Sequence, residues 1–235
     1  MRIFVTGTDT DVGKTTICSW LCLHSGYAYF KPIQTGSVQG TDSNQVSNLT
    51  NTLIYKEAFM FKEPLSPHVA ANLENSDIDI GQIDLPKEEN IIIEGAGGIL
   101  VPINKSTLMV DLIKLLGVAT ILVARSTLGT INHTLLSLEA LRRRDIPILG
   151  VILNGPENKE NLQAIEFYGG VKVLATVPQL KQVDKEALLK VPLSNHLREM
   201  LAMNEDESSR ARWKNPVAPI YSRKNSCDTN CCQES

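Results

Sequence analysis

A chain of 235 residues is long enough for one substantial α/β domain and cramped for two. Lys+Arg 23 against Asp+Glu 26 leaves a net charge of −3, and no basic stretch of the kind that grips a phosphate backbone is present, which argues against a nucleic-acid partner. Apolar residues make up 43% of the chain, enough for a core, yet no apolar run reaches the ~18–20 residues that cross a bilayer, so a cytoplasmic protein with no membrane partner is expected.

Short, nearly continuous apolar runs alternate with amphipathic stretches. This is the pattern of repeated βα units around a parallel sheet covered on both faces. The N-terminus has no long apolar leader region, and Asp9 and Asp11 follow it at once. The first run, 3–6, reads as a strand and passes directly into Gly7-Thr8-Asp9-Thr10-Asp11-Val12-Gly13-Lys14-Thr15, after which 14–24 reads as a helix. A glycine-bounded turn from strand to helix can cradle phosphate, because backbone N–H groups wrap the anion and the helix N-terminus adds positive potential. Lys14 is then placed to reach the β- and γ-phosphates, and the Thr15 hydroxyl to ligate magnesium. Five residues separate Gly7 from Gly13, one more than in the common form of this loop. Cys18 and Cys22 lie four apart on the helix, share a face, and should pack as small apolar side chains.

The second strand, 28–31, ends in Lys31-Pro32-Ile33-Gln34-Thr35-Gly36, and a lysine leaving a buried strand at the mouth of the sheet can meet an anion there. The stretch 34–86 alternates less cleanly. It is expected to hold a short helix near 42–49 and loops over that mouth. Asp42 can either cap this helix or hold a metal, and the metal is favoured. A third strand, 90–94, ends at Glu94 and is followed by Gly95-Ala96-Gly97-Gly98, read as flexible glycines. Its carboxylate should lie at the carboxyl edge of the sheet, where open α/β sheets bind ligands, and it suits magnesium directly or through water.

Further strands are expected at 119–124, 148–153 and 172–176, with helices at 108–116, 132–143, 159–168 and 193–203. On 132–143, Leu135, Leu138 and Leu141, joined by Leu136, are read as one core stripe. Gly129-Thr130-Ile131-Asn132 precedes that helix, and its backbone N–H groups suit a carboxylate. His68 and His133 are assigned structural roles rather than general-base catalysis. Residues 1–203 are expected to form a single domain. Residues 204–235 read as a polar tail broken by two prolines, disordered or loosely docked through Trp213 and Tyr221. Cys227, Cys231 and Cys232 crowd its end without a nearby histidine, which fits a disordered end better than a metal site.

GTDTDVGKT, FKPIQTGS, EPLSPH, EGAGG and GTIN stand in the order and approximate spacing of the dethiobiotin synthetases, and the chain resembles that family from Met1 to about Pro178. The resemblance implies a P-loop NTPase-type three-layer sandwich, with a mainly parallel central sheet flanked by helices. It also implies an ATP-dependent cyclo-ligase that takes 7,8-diaminononanoate, carbon dioxide and ATP to dethiobiotin, with magnesium as cofactor. Thr15, Asp42 and Glu94 would hold the metal, and Lys14, Lys31 and Thr10 would serve catalysis. ATP would meet Asp11, Val12, Gly13, Lys14, Thr15, Thr16, Glu94 and Gly97, with Asn154 reading the adenine and Pro178 beside the base. Asn154-Gly155 also reads as a simple turn.

On the substrate side, Lys31 and Thr35 would flank the carbamate and Thr10 with Asp11 the amine end. Gly129, Thr130, Ile131 and Asn132 would meet the substrate carboxylate across a homodimer interface. The family usually carries Ser where this chain has Thr35, and often Glu where it has Asp11. The competing reading is a partition or metallocentre-type ATPase whose nucleotide state switches a protein contact. Such relatives often carry a second lysine early in the loop, where this chain has Thr8.

Overall fold

The computed structural model describes residues 1–201. The chain runs β1 (Arg2–Gly7), α1 (Lys14–Ser25), β2 (Ala28–Phe30), β3 (Ile33–Gln34), α2 (Asp42–Leu49), β4 (Ile54–Tyr55), β5 (Phe59–Met60), α3 (Pro67–Leu73) and β6 (Ile91–Gly98). It continues through α4 (Met109–Leu116), β7 (Ala119–Arg125), α5 (Thr130–Arg142), β8 (Ile148–Asn154), α6 (Lys159–Gly169), β9 (Val173–Val177), α7 (Lys185–Leu189) and α8 (Asn195–Met200).

Seven strands form one sheet in the order β4-β2-β6-β1-β7-β8-β9, and every neighbouring pair is parallel. The apolar runs explain this. Alternate residues of each strand enter opposite layers, so a strand covered on both faces must be apolar throughout. On one face Val5, Tyr29, Ile92 and Val123 pack with Ile17 and Leu21 of α1, Val46 of α2, Leu188 of α7 and Leu197 of α8. On the other, Phe4, Phe30 and Ile93 pack with Ala70 of α3, Leu112 and Ile113 of α4, and Leu141 of α5. Leu122 and Leu153 meet Leu138 of α5 and Ile165 of α6 there. The result is the three-layer sandwich expected from sequence. From β1 the chain moves outward to β2, returns to β6, and then crosses to β7 on the other side of β1. The strand order therefore reverses at β1, and the crevice at the carboxyl ends of β1 and β6 is where such a sheet takes a ligand.

Three expectations need correction. Leu136 is not core: it is 57% exposed, whereas Leu138 and Leu141 are fully buried. Each residue turns a helix by about 100°, so Leu136 lies about 200° from Leu138, on the opposite side. The glycines after Glu94 are not a flexible turn but the end of β6. A Cβ on Gly95 would stand 2.9 Å from the Phe4 ring, so glycine there permits close approach of strands rather than freedom. The stretch 34–86 holds more structure than loops and one helix. β3 and β5 pair as a separate two-stranded sheet, β4 extends the main sheet, and α3 follows. Residues 204–235, with Trp213, Tyr221 and the three terminal cysteines, lie outside the described residues.

Candidate active site

The phosphate-loop segment leaves β1 with its path already fixed, since the Thr8 N–H donates to the Val123 carbonyl at 2.9 Å. Asp11 and Gly13 both take left-handed conformations, with φ of 56° and 89°, which turns the backbone into the start of α1. Only glycine fits position 13, because a Cβ there would stand 2.0 Å from Asn154 Nδ2. Asn154, at the end of β8, donates through Nδ2 to the Val12 carbonyl at 3.0 Å and so ties the loop to the opposite half of the sheet.

Lys14 is 7% exposed, and its Nζ donates to the Asp9 carbonyl at 3.0 Å. Burial lowers its pKa below the ordinary lysine value. Glu94 opposes the shift and the Lys31 charge adds to it. A cation so placed gains most from an incoming anion. Asp9 also pairs with Arg125 at 2.8 Å and accepts from the Thr10 N–H at 2.7 Å.

At the end of β6, Glu94 is 1% exposed and collects three donors. Thr15 Oγ1 and Lys31 Nζ reach its Oε1 at 2.8 and 3.1 Å, and Tyr29 Oη reaches its Oε2 at 2.8 Å. Lys31 Nζ also lies 2.5 Å from Asp42 Oδ2. Burial alone would lower the Lys31 pKa, but Glu94 and Asp42 outweigh it and hold the group above its ordinary value. Asp42 does not cap α2: Thr41 does, accepting from Asn44 N. The Asp42 carboxylate is thus free to face Lys31, while its N–H donates to Gln34 Oε1 at 3.0 Å.

Glu94 and Asp42 both contact the Lys31 ammonium, and the Thr15 hydroxyl bonds the same Glu94 oxygen that Lys31 does. A position between two carboxylates that already holds a positive charge fits a hard divalent cation. Among the described residues no three His, Cys, Asp or Glu side chains form a metal-binding group. Magnesium requires no such group, since it takes one or two carboxylates and completes its shell with water and substrate phosphates.

These residues line one cavity of about 660 Å³. It brings together Thr10, Asp11, Gly13, Lys14, Thr15 and Thr16 of the loop with Lys31, Thr35, Asp42, Glu94 and Gly97. Pro64, Leu65, Ser66 and Pro67 of the EPLSPH motif form its rim. Val12 packs into the core behind the loop. Asn154, Pro178 and the segment Gly129, Thr130, Ile131 and Asn132 are not part of this lining. Gly129 precedes α5 in a left-handed conformation, with Thr130 buried and Asn132 exposed. His68 and His133 lie off the lining as well. Sequence reasoning missed Tyr29 and Gln34. Tyr29 alternates with two apolar neighbours in a buried strand and carried no polar signal of its own.

Fold and site define a P-loop α/β protein that handles anionic phosphates at the reversal point of a parallel sheet. A family model described as an AAA domain matches residues 1–187. The ATP-dependent dethiobiotin synthetase BioD of Lawsonia intracellularis is 52% identical over 200 residues, covering 85% of this chain and 98% of its own length. The protein of the same name from Paramagnetospirillum magneticum is 50% identical over 192 residues, covering 81% of this chain and 94% of its own. A solved ParA family ATPase from Chlorobium tepidum TLS covers 90% of this chain and 98% of its own at 14% identity and a TM-score of 0.49, too distant to argue from. The chain belongs to the ATP-dependent dethiobiotin synthetase family.

Proposed function

We propose that this protein is a cytoplasmic, magnesium-dependent ligase that closes 7,8-diaminononanoate with carbon dioxide to dethiobiotin at the expense of ATP. One amine adds to carbon dioxide to give a carbamate and releases a proton. A carbamate oxygen attacks the γ-phosphorus and ADP leaves. The second amine attacks the carbamoyl carbon, and phosphate departs as the ring closes. No step requires a protein nucleophile, and the cavity lining offers carboxylates, lysines and hydroxyls rather than a thiolate: Cys18 and Cys22 are fully buried, with thiol pKa values raised by that burial.

The observation that carries this reading is the second buried lysine. Lys31 stands in the same cavity as Lys14 and Thr15, where a carbamate must approach a triphosphate against charge repulsion. Fixed positive charge in a site shielded from water lowers that barrier. Thr15, Asp42 and Glu94 would hold magnesium, which would offset phosphate charge when bound. Thr35 would meet the carbamate and Thr10 with Asp11 the amine end. Asn154 would read the adenine, with Pro178 beside it.

The substrate carboxylate would meet Gly129, Thr130, Ile131 and Asn132 across a homodimer interface. Leu128 beside that segment is fully solvent-exposed, and Leu136 of α5 and Phe167 and Tyr168 of α6 are also exposed, which supports burial against a second copy. The test is phosphate release from ATP with and without 7,8-diaminononanoate and bicarbonate, alongside product detection and molar mass in solution. Diamine-dependent release with dethiobiotin formed is expected. Release that ignores the diamine would overturn the reading in favour of a nucleotide switch.

A further inference from the structure

We propose that Tyr29 is a positioning residue that fixes the rotation of the Glu94 carboxylate and thereby sets the affinity of the site for a divalent cation. The inference rests on the reading of Glu94 as a metal ligand and deepens it.

Parallel pairing of β2 with β6 sets Tyr29 beside Ile92, and both side chains enter the α1 layer. Glu94 follows two residues along the same face of β6, about 6.6 Å further at the usual strand rise. The phenol spans that step, and its Oη donates to Glu94 Oε2 at 2.8 Å. Thr15 and Lys31 both point to the other oxygen, Oε1. The two carboxylate oxygens therefore have separate duties: Oε2 is tied to the core and Oε1 faces the cavity.

The chemistry of the glutamate side chain makes this tie consequential. Its terminal torsion is broad, so packing alone does not decide the plane in which the carboxylate faces the cation. A fully buried hydroxyl on one oxygen does decide it. Tyr29 is 0% exposed, so no bulk water competes for its hydroxyl, and its bond to Glu94 lies wholly inside the core. Partners that orient a ligating carboxylate commonly change metal affinity by about 10–100-fold when removed.

Tyr29→Phe removes only the hydroxyl and leaves the ring in its packing. In the full chain, Mn2+ binding followed by the paramagnetic resonance of free Mn2+, in the presence of ADP, should weaken by about 10-fold or more. ADP affinity without metal and the far-ultraviolet spectrum should remain unchanged. Glu94→Gln measured beside it separates the two claims. If Glu94→Gln weakens Mn2+ while Tyr29→Phe binds as the wild type does, the role of Tyr29 is overturned and the metal site stands. If neither variant weakens Mn2+, the metal reading of Glu94 falls as well. The unaltered chain offers an independent check, crystallised with Mn2+ and a nonhydrolysable ATP analogue. Metal on the carboxylate oxygen that Tyr29 does not hold supports the inference, and metal on the oxygen that Tyr29 holds, or loss of the Tyr29 bond, overturns it.

Discussion

The two lysines of the cavity occupy opposite electrostatic environments, and the regions that carry them are built differently. Lys14 belongs to a loop held by short-range contacts: its bond to the Asp9 carbonyl spans five residues. Lys31 belongs to a cluster held from afar, with Glu94 63 residues away and the Thr15–Glu94 bond spanning 79. Burial leaves Lys14 below its ordinary pKa, short of counter-charge, whereas Glu94 and Asp42 overcome the same effect for Lys31 and raise it. Lys14 is a cation prepared for an anion that arrives from outside. Lys31 already has partners, and on the proposed mechanism it would exchange them when a metal enters between the carboxylates. On that mechanism one region would receive phosphate, and the other would be a charge cluster that the reactants rearrange.

The sharpest way to break this comparison is to remove each lysine in turn. If the proposed roles hold, Lys14→Ala and Lys31→Ala should each reduce dethiobiotin formation by on the order of 10³-fold, since each would withdraw a fixed charge from the reacting phosphoryl group or its attacker. They should differ in binding. Calorimetry with an ATP analogue should show a large loss of affinity for Lys14→Ala and a small one for Lys31→Ala. Equal losses in both variants would mean that Lys31 also serves the nucleotide, and the division between the regions would fail.

The same division explains what could be read before the structure. The strand–loop–helix context of the phosphate-loop motif was legible because its signal is contiguous: Gly7 to Thr15 sits between an apolar run and an amphipathic one, and these become β1 and α1. Six strands of the main sheet were legible because burial on both faces demands apolar residues at every position. Between 34 and 86 neither signal operates. β4 and β5 have two residues each, too few for any period to show, and β3 pairs with β5 across 24 intervening residues. Asp42 was recognised as a candidate ligand, yet its release from capping depends on Thr41 one position earlier, a choice that backbone geometry makes. Tyr29 was invisible for a related reason. A tyrosine in an apolar strand looks like core, and its hydroxyl becomes informative only once β2 and β6 are in register.

A smaller effect tests how rigid the loop must be. Gly13→Ala places a Cβ 2.0 Å from Asn154 Nδ2 at a residue with φ of 89°. Strain of this kind costs about 1–3 kcal/mol where the surroundings hold the conformation. The contact with Asn154 can be relieved only by breaking its bond to the Val12 carbonyl. A lower unfolding midpoint in denaturant and weakened ATP binding are expected together. Retained ATP affinity with lowered stability would show that the loop tolerates a different path and that Asn154 does not hold it in its binding shape.

The smallest expected effect lies at the edge of the loop, where charge is present but burial is not. Arg125 and Asp9 form an ion pair at 2.8 Å, with side chains 44% and 51% exposed. Exposed pairs of this type contribute about 0–1 kcal/mol and weaken with salt. Asp9 also keeps its bond to the Thr10 N–H when the arginine is gone, so its carbonyl remains in place for Lys14. Arg125→Ala should therefore shift the unfolding free energy by less than about 1 kcal/mol and leave ATP affinity within about two-fold at moderate ionic strength. A ten-fold loss of affinity, largest at low salt, would instead mean that Arg125 leaves Asp9 to meet the nucleotide. The phosphate side of the site would then hold a second exchangeable cation, and partner exchange would no longer be peculiar to Lys31.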